Sequence, residues 1–251
     1  MSNQLKVLIF DVDGTLADTE RDGHRVAFNN AFAQMKVDWH WSTDLYGKLL
    51  AIAGGKERLK FYLEQYQPNW QTEDIAEFIA QTHQLKSQYY RSLLQQGAIP
   101  LRPGVKRLIL EARAKGIRLA IATTSTLPNA KALLETTLDP SWFEVIAAGD
   151  IVANKKPAPD IYDYVLEQMN IAPEHCLVFE DSAHGLRAAT QANLKTIVTV
   201  NEYTKNQDFN DAILVVNQIG EEEFPLNIIQ GKTPHTKYIN INYLQQIIGN
   251  R

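Results

Sequence analysis

The chain holds one cysteine in 251 residues, so no disulfide can form within it and a buried core must hold the fold. Cys176 stands in the apolar run Cys176-Leu177-Val178-Phe179, which reads as a packed core residue in a reducing compartment rather than a reactive thiol. No apolar run approaches the roughly 18 residues of a membrane span. Met1-Ser2-Asn3-Gln4 leads straight into the first apolar run, so a cytoplasmic protein without a leader or a membrane partner is expected. An excess of positive charge is missing too. With 25 Lys and Arg against 29 Asp and Glu the formal charge is −4. That argues against nucleic acid as a partner and leaves anion binding to local groups of cations. Internal repeats and low-complexity segments are absent. What is present is 45% hydrophobic content, enough over this length for a sizeable core, and a monomer is expected.

Leu5-Lys6-Val7-Leu8-Ile9-Phe10 reads as the central buried strand of a sheet, and Asp11-Val12-Asp13-Gly14-Thr15-Leu16 follows it. Two carboxylates two residues apart are thereby presented at a strand end, with Gly14 permitting a sharp exit. A carboxylate so placed can attack phosphorus and form an aspartyl phosphate, provided a divalent cation shields its charge. The same residues also read as a DG turn closing a hairpin, although Thr15-Leu16-Ala17 lacks the alternation of a returning strand.

Three later segments carry the partners such chemistry needs. Leu119-Ala120-Ile121-Ala122 runs into the hydroxyls of Thr123, Thr124 and Ser125, which can hydrogen-bond phosphate oxygens together with the N–H groups of the next turn. Pro128 suits the first turn of the helix behind them. In Lys155-Lys156-Pro157-Ala158-Pro159-Asp160 the prolines stiffen a loop whose lysine would neutralise nucleophile and phosphoryl group; a solvated lysine pair is the alternative. Cys176-Leu177-Val178-Phe179 ends in Glu180-Asp181-Ser182, an acidic pair or simply a helix N-cap. If these strand ends adjoin, Asp11, Asp13, Glu180 and Asp181 converge. Two such charges at about 4 Å repel by about 4 kcal/mol at an effective dielectric near 20. A hard cation with oxygen ligands relieves this, and Mg2+ fits a few carboxylates plus phosphate and water.

Further apolar runs at 144–148, 196–200 and 213–216 alternate with helical patterns at 103–116, 127–137, 158–169 and 183–193. Such alternation predicts an α/β fold, a doubly wound parallel sheet with helices on both faces and ligands outside the carboxyl ends of the strands. The ordered set of four motifs resembles the haloacid-dehalogenase-like (HAD) superfamily of phosphotransferases. The resemblance implies that Asp11 is the nucleophile and Asp13 the general acid and base. Thr123 then matches the motif's hydroxyl, Lys156 rather than Lys155 its lysine, and Glu180-Asp181 its acidic pair, with Asp11, Asp13, Glu180 and Asp181 around Mg2+.

More than a hundred residues separate the first two motif strands, far beyond what a crossover needs. A helical cap over 19–97 is expected, inserted into an α/β core of 1–18 and 98–251. Its candidates for holding substrate are Gly54-Gly55-Lys56-Glu57-Arg58, two glycines at a helix start beside cations, and His83 with Lys86, neighbours on one helix face. Glu20 and His24 stand where the chain enters the cap; Glu20 could accept sugar hydroxyls, while His24 reads equally as a core histidine. Residues 11–20, Gly54–Arg58, Leu101-Arg102-Pro103-Gly104 and Ala147-Ala148-Gly149-Asp150 resemble the CbbY branch of the superfamily. That resemblance implies a phosphorylated-sugar substrate, xylulose 1,5-bisphosphate, hydrolysed to xylulose 5-phosphate. Arg21-Asp22-Gly23-His24 is one residue longer than in many superfamily members. A phosphomutase resembling β-phosphoglucomutase is the nearest rival, and an inactive sugar-phosphate-binding module the rival of another class.

Overall fold

The computed structural model describes residues 4–52, 54–149 and 151–249; Met1-Ser2-Asn3 and Asp150 of the motifs above lie outside them. The chain forms two compact units, Met1–Asp18 with Pro100–Arg251, and Thr19–Ile99.

The first unit is built on a seven-stranded sheet. Its strands are β1 (Val7–Phe10), β2 (Arg118–Ala122), β3 (Val145–Ala147), β4 (Cys176–Glu180), β5 (Lys195–Thr199), β6 (Leu214–Val216) and β7 (Ile228–Gly231). The spatial order is β3-β2-β1-β4-β5-β6-β7. All pairings are parallel except that of β6 with β7. The sheet is mainly parallel, as expected, and β7 adds an antiparallel edge to it. β7 alternates half-buried and exposed residues rather than forming an apolar run, as an edge strand of a covered sheet can.

β1 is buried along its whole length, as an interior strand of a covered sheet is. On one face Val7, Ile9, Ala120 and Val178 pack under α7 (Asp160–Gln168) and α8 (Ala183–Gln191), through Ile161, Val165 and Ala188. Cys176 lies in the same layer as a free, buried thiol, and burial pushes its pKa up to about 12. On the other face Phe10 stacks on Phe179 at 4.9 Å. The strand order changes direction between β1 and β4, so the crevice beyond their carboxyl ends is the place where such sheets bind ligands.

The second unit is helical: one π turn (Thr19–His24) running into α1 (Arg25–Gln34), then α2 (Thr43–Leu49), α3 (Gly55–Tyr66) and α4 (Ile75–Gln95). Its core is aromatic. Trp41 packs on Phe28 at 4.6 Å, Phe32 at 5.0 Å and Tyr62 at 5.2 Å. Asn29 holds the Trp41 backbone by both its N–H and its carbonyl. The π turn falls on the stretch read as one residue longer than usual, and a π turn is how a helix accommodates one extra residue. Gly23 lets that turn approach Tyr90, since a Cβ there would lie 2.7 Å from the Tyr90 ring. Among the described residues no helix is long and apolar enough to cross a membrane.

Candidate active site

Register fixes the centre of the site. Phe10 pairs with Ile121 on one side and Phe179 on the other, so Asp11 stands one step beyond the end of β1, level with Ala122 and Glu180, the last residues of β2 and β4. The Asp11 N–H still bonds to the Phe179 carbonyl at 3.0 Å, which ties the carboxylate's backbone to the rigid sheet. Gly14 then turns the chain at φ +89°, a conformation that a side chain would strain.

The loop between β3 and α7 delivers Lys156, whose side chain is only 5% exposed. Its ammonium donates to Asp11 Oδ1 at 2.8 Å, Glu180 Oε1 at 2.5 Å and the Ala122 carbonyl at 2.9 Å. All three donors of the ammonium are used, which fixes its position without a solvent partner. Burial alone would lower its pKa, but the charges of Asp11 and Glu180 carry it well above its usual value. The neighbouring Lys155 is exposed. Tyr162 on α7 was not legible as a site residue. Its hydroxyl donates to Glu180 Oε1 at 2.6 Å, and its ring lies 5.1 Å from the Lys156 ammonium.

Carboxylate oxygens of Asp11, Glu180 and Asp181 lie within 4.8 Å of one another. Burial, with Glu180 and Asp13 adding to it against Lys156, pushes the Asp11 pKa up to about 7. Burial and the charges of Asp11 and Glu180 likewise raise Asp181 well above the carboxylate range. One ammonium cannot neutralise three buried carboxylates, and Glu180 already spends Oε1 on Lys156 and Tyr162. The remaining excess charge, on oxygen donors alone, fits a hard divalent cation held chiefly by Asp11 and Asp181. Asp13 is half-buried on the same loop, and its carboxylate is not part of this three-acid group.

Thr123 is fully buried at the end of β2, and its Oγ1 accepts from the Ser125 N–H at 3.0 Å. Its own hydroxyl hydrogen remains to donate. Thr124 is exposed and Ser125 half-buried in the turn before α6 (Leu127–Thr137), where Pro128 occupies the first turn as expected.

In the helical unit the other candidates fall into two groups. His24 and Lys86 are both buried, with Lys86 Nζ 2.9 Å from His24 Nδ1. An ammonium can only donate, so the imidazole accepts at Nδ1 and is neutral. Burial, with the charges of Lys86 and Arg58, holds its pKa well below the usual value. The ring stacks on Tyr90 at 3.9 Å. His83, three residues before Lys86, lies against Gly55, where a Cβ would meet Nε2 at 2.7 Å. Gly54 caps α3 at φ +90°, and Lys56 is exposed at that helix start. The Glu57 carboxylate folds back over Gly54, so the helix terminus already has an internal anion beside it. Arg58 spends its donors within the unit, on the carbonyls of Leu49 and Ile52 and on the Tyr46 hydroxyl. Tyr46 in turn donates to Glu20 Oε2 at 2.6 Å, so Glu20 is oriented by a residue that the motifs did not single out.

The family described as haloacid dehalogenase-like hydrolase matches residues 5–193, which include every one of these groups. Protein CbbY (plasmid) of Cupriavidus necator is 44% identical over 226 residues, covering 88% of this chain and 89% of that protein. A crystal structure of CbbY from Rhodobacter sphaeroides in complex with phosphate is 44% identical, with a TM-score of 0.73 over 86% of this chain and 95% of that one. A mutant of that protein in complex with xylulose 1,5-bisphosphate is 42% identical, with a TM-score of 0.74 over 87% of this chain and 96% of the other. Motif order, strand-end geometry and these likenesses agree: the chain belongs to the haloacid dehalogenase-like hydrolases, in the group that includes CbbY.

Proposed function

We propose that the protein is a Mg2+-dependent sugar-phosphate phosphatase that acts through an aspartyl phosphate and hydrolyses xylulose 1,5-bisphosphate to xylulose 5-phosphate and phosphate. The observation that carries this reading is Asp11, fixed at the β1/β4 switch point, bonded to Lys156 and grouped with Glu180 and Asp181. The bisphosphate bound by the R. sphaeroides protein supports the choice of substrate.

Asp11 attacks phosphorus, forming a carboxylate–phosphorus bond as the bond to the sugar oxygen breaks. Asp13, two residues on, gives its proton to the leaving oxygen, then takes a proton from the water that cleaves the aspartyl phosphate and restores Asp11. Lys156 lowers the repulsion between the carboxylate and the phosphoryl group, while the hydroxyls of Thr123 and Ser125 and the Thr124 N–H hold phosphoryl oxygens. Mg2+, when held by Asp11 and Asp181, supplies charge neutralisation to the phosphoryl oxygens. Residues Thr19–Ile99 act as the substrate-selecting cap. There Gly54, Gly55, Lys56, His83 and Lys86 receive the second phosphate once Glu57 gives way, His24 keeps Lys86 in place, and Glu20, oriented by Tyr46 and Arg58, takes sugar hydroxyls.

Phosphate release, measured with Mg2+ and with EDTA across xylulose 1,5-bisphosphate, ribulose 1,5-bisphosphate, fructose 1,6-bisphosphate and β-glucose 1-phosphate, tests the reading. Fast Mg2+-dependent turnover of the xylulose compound with ribulose bisphosphate spared is expected. Conversion of β-glucose 1-phosphate to glucose 6-phosphate would instead make the protein a mutase. Lys56→Ala is expected to raise KM for the bisphosphate about tenfold while leaving p-nitrophenyl phosphate hydrolysis within twofold, as loss of one exposed charge contact of about 1.4 kcal/mol would give. Equal losses on both substrates would remove Lys56 from the second-phosphate site.

A further inference from the structure

We infer that Asn201 is a positioning residue that fixes the cation-binding rotamer of Asp181, an inference that rests on the metal-dependent reading above. Asn201 lies outside the four motifs, two residues beyond the end of β5. Its Nδ2 donates to Asp181 Oδ2 at 2.6 Å. The amide cannot be turned the other way, because Oδ1 accepts from the Tyr203 N–H at 2.9 Å, and a carboxylate partner needs a donor. Its own N–H bonds to Thr204 Oγ1 at 3.0 Å, and its carbonyl accepts from the N–H groups of Thr204 and Lys205. The side chain is therefore set by its turn before Asp181 meets it.

The pair is fixed from below as well. A Cβ on Gly14 would lie 2.2 Å from Asp181 Oδ2 and 2.7 Å from Asn201 Nδ2, so both polar groups rest directly on the Gly14 backbone. Buried Arg102 clamps that backbone and the one leading to Asn201, donating to the carbonyls of Gly14, Thr199 and Val200. A neutral amide suits this position. It orients one oxygen of Asp181 without cancelling the negative charge, leaving the other oxygen for a cation. A lysine or arginine at the same point would compete with the metal instead. Partners that orient a ligand in this way commonly change metal affinity by 10–100-fold when removed.

The test is the Mg2+ dissociation constant, read from the Mg2+ dependence of the unfolding temperature, for wild type, Asn201→Ser and Thr204→Val. Serine can still accept from the Tyr203 N–H and keep the turn, but it is too short to reach Asp181. Each variant is compared with its own metal-free form, so a general loss of stability does not enter. We expect about tenfold weaker binding for Asn201→Ser and less than twofold change for Thr204→Val, which loosens the turn but keeps the amide. Wild-type affinity in Asn201→Ser, or an equal loss in Thr204→Val, overturns the positioning role alone. A wild-type protein that binds no Mg2+ overturns both this inference and the metal-dependent reading.

Discussion

Asp11 is buried against Lys156, Glu180 and Asp181, so replacing its carboxylate by an amide changes charge far more than shape. Asp11→Asn is expected to lower phosphate release by about a thousandfold or more, since the proposed nucleophile is gone. The unfolding temperature should hold or rise, because a group raised to about 7 by burial is a charge that the folded state disfavours. A fall in stability together with activity would mean that Asp11 serves the fold instead. His24 gives a prediction of the opposite kind. Its folded pKa is depressed from 6.5, so the unfolded chain binds the extra proton first as pH falls. The contribution of His24 to stability is thus complete above about pH 6.5 and is lost as pH drops below it. His24→Gln should flatten the acid side of the stability profile of the helical unit; an unchanged slope would show that His24 is not the group that titrates.

Helix α8 begins against Glu180, and Gly185 is the residue that permits it: a Cβ there would lie 2.0 Å from the carboxylate. Alanine would gain about 1 kcal/mol of helix propensity, but forcing a methyl into that contact costs about 1–3 kcal/mol. Gly185→Ala should therefore destabilise the sheet unit in denaturant titration and weaken catalysis by displacing Glu180 from Lys156. A stabilised, fully active variant would show that α8 can shift freely. Elements of this kind were readable where local pattern decides them. β1, β2 and β4 are apolar runs with Asp11, Thr123 and Glu180-Asp181 at their ends, and Lys156 stands out by the prolines of its loop, so these residues could be singled out without coordinates. β7 escaped because its pairing with β6 is set by neighbours and not by an apolar run of its own. Tyr162 and Asn201 escaped for a related reason, and Arg102 was read only as part of the Leu101–Gly104 motif without its role: each works through a partner far away in sequence, and only topology makes the two meet.

In the molecule as a whole, the three-acid group lies within one unit, Met1–Asp18 with Pro100–Arg251. Mg2+ at a hundred times its dissociation constant would stabilise that unit by about 2.7 kcal/mol, or roughly 5–10 °C for a domain of this size. Calorimetry should show the transition of the sheet unit moving with Mg2+ and returning with EDTA, while that of Thr19–Ile99 stays fixed; the reverse pattern would relocate the metal. Sheet order has a further consequence, for synthesis. β1 is made before the other strands, yet Leu8 has no strand partner until Leu119 has been made and no second one until Leu177. The helical unit, a continuous stretch from Thr19 to Ile99 that is complete before β2 is made, can fold during that wait. The nascent chain thus carries Asp11 on an unpaired hydrophobic strand until β2 has been made, and it is at that stage that the strand is most open to aggregation or to a chaperone.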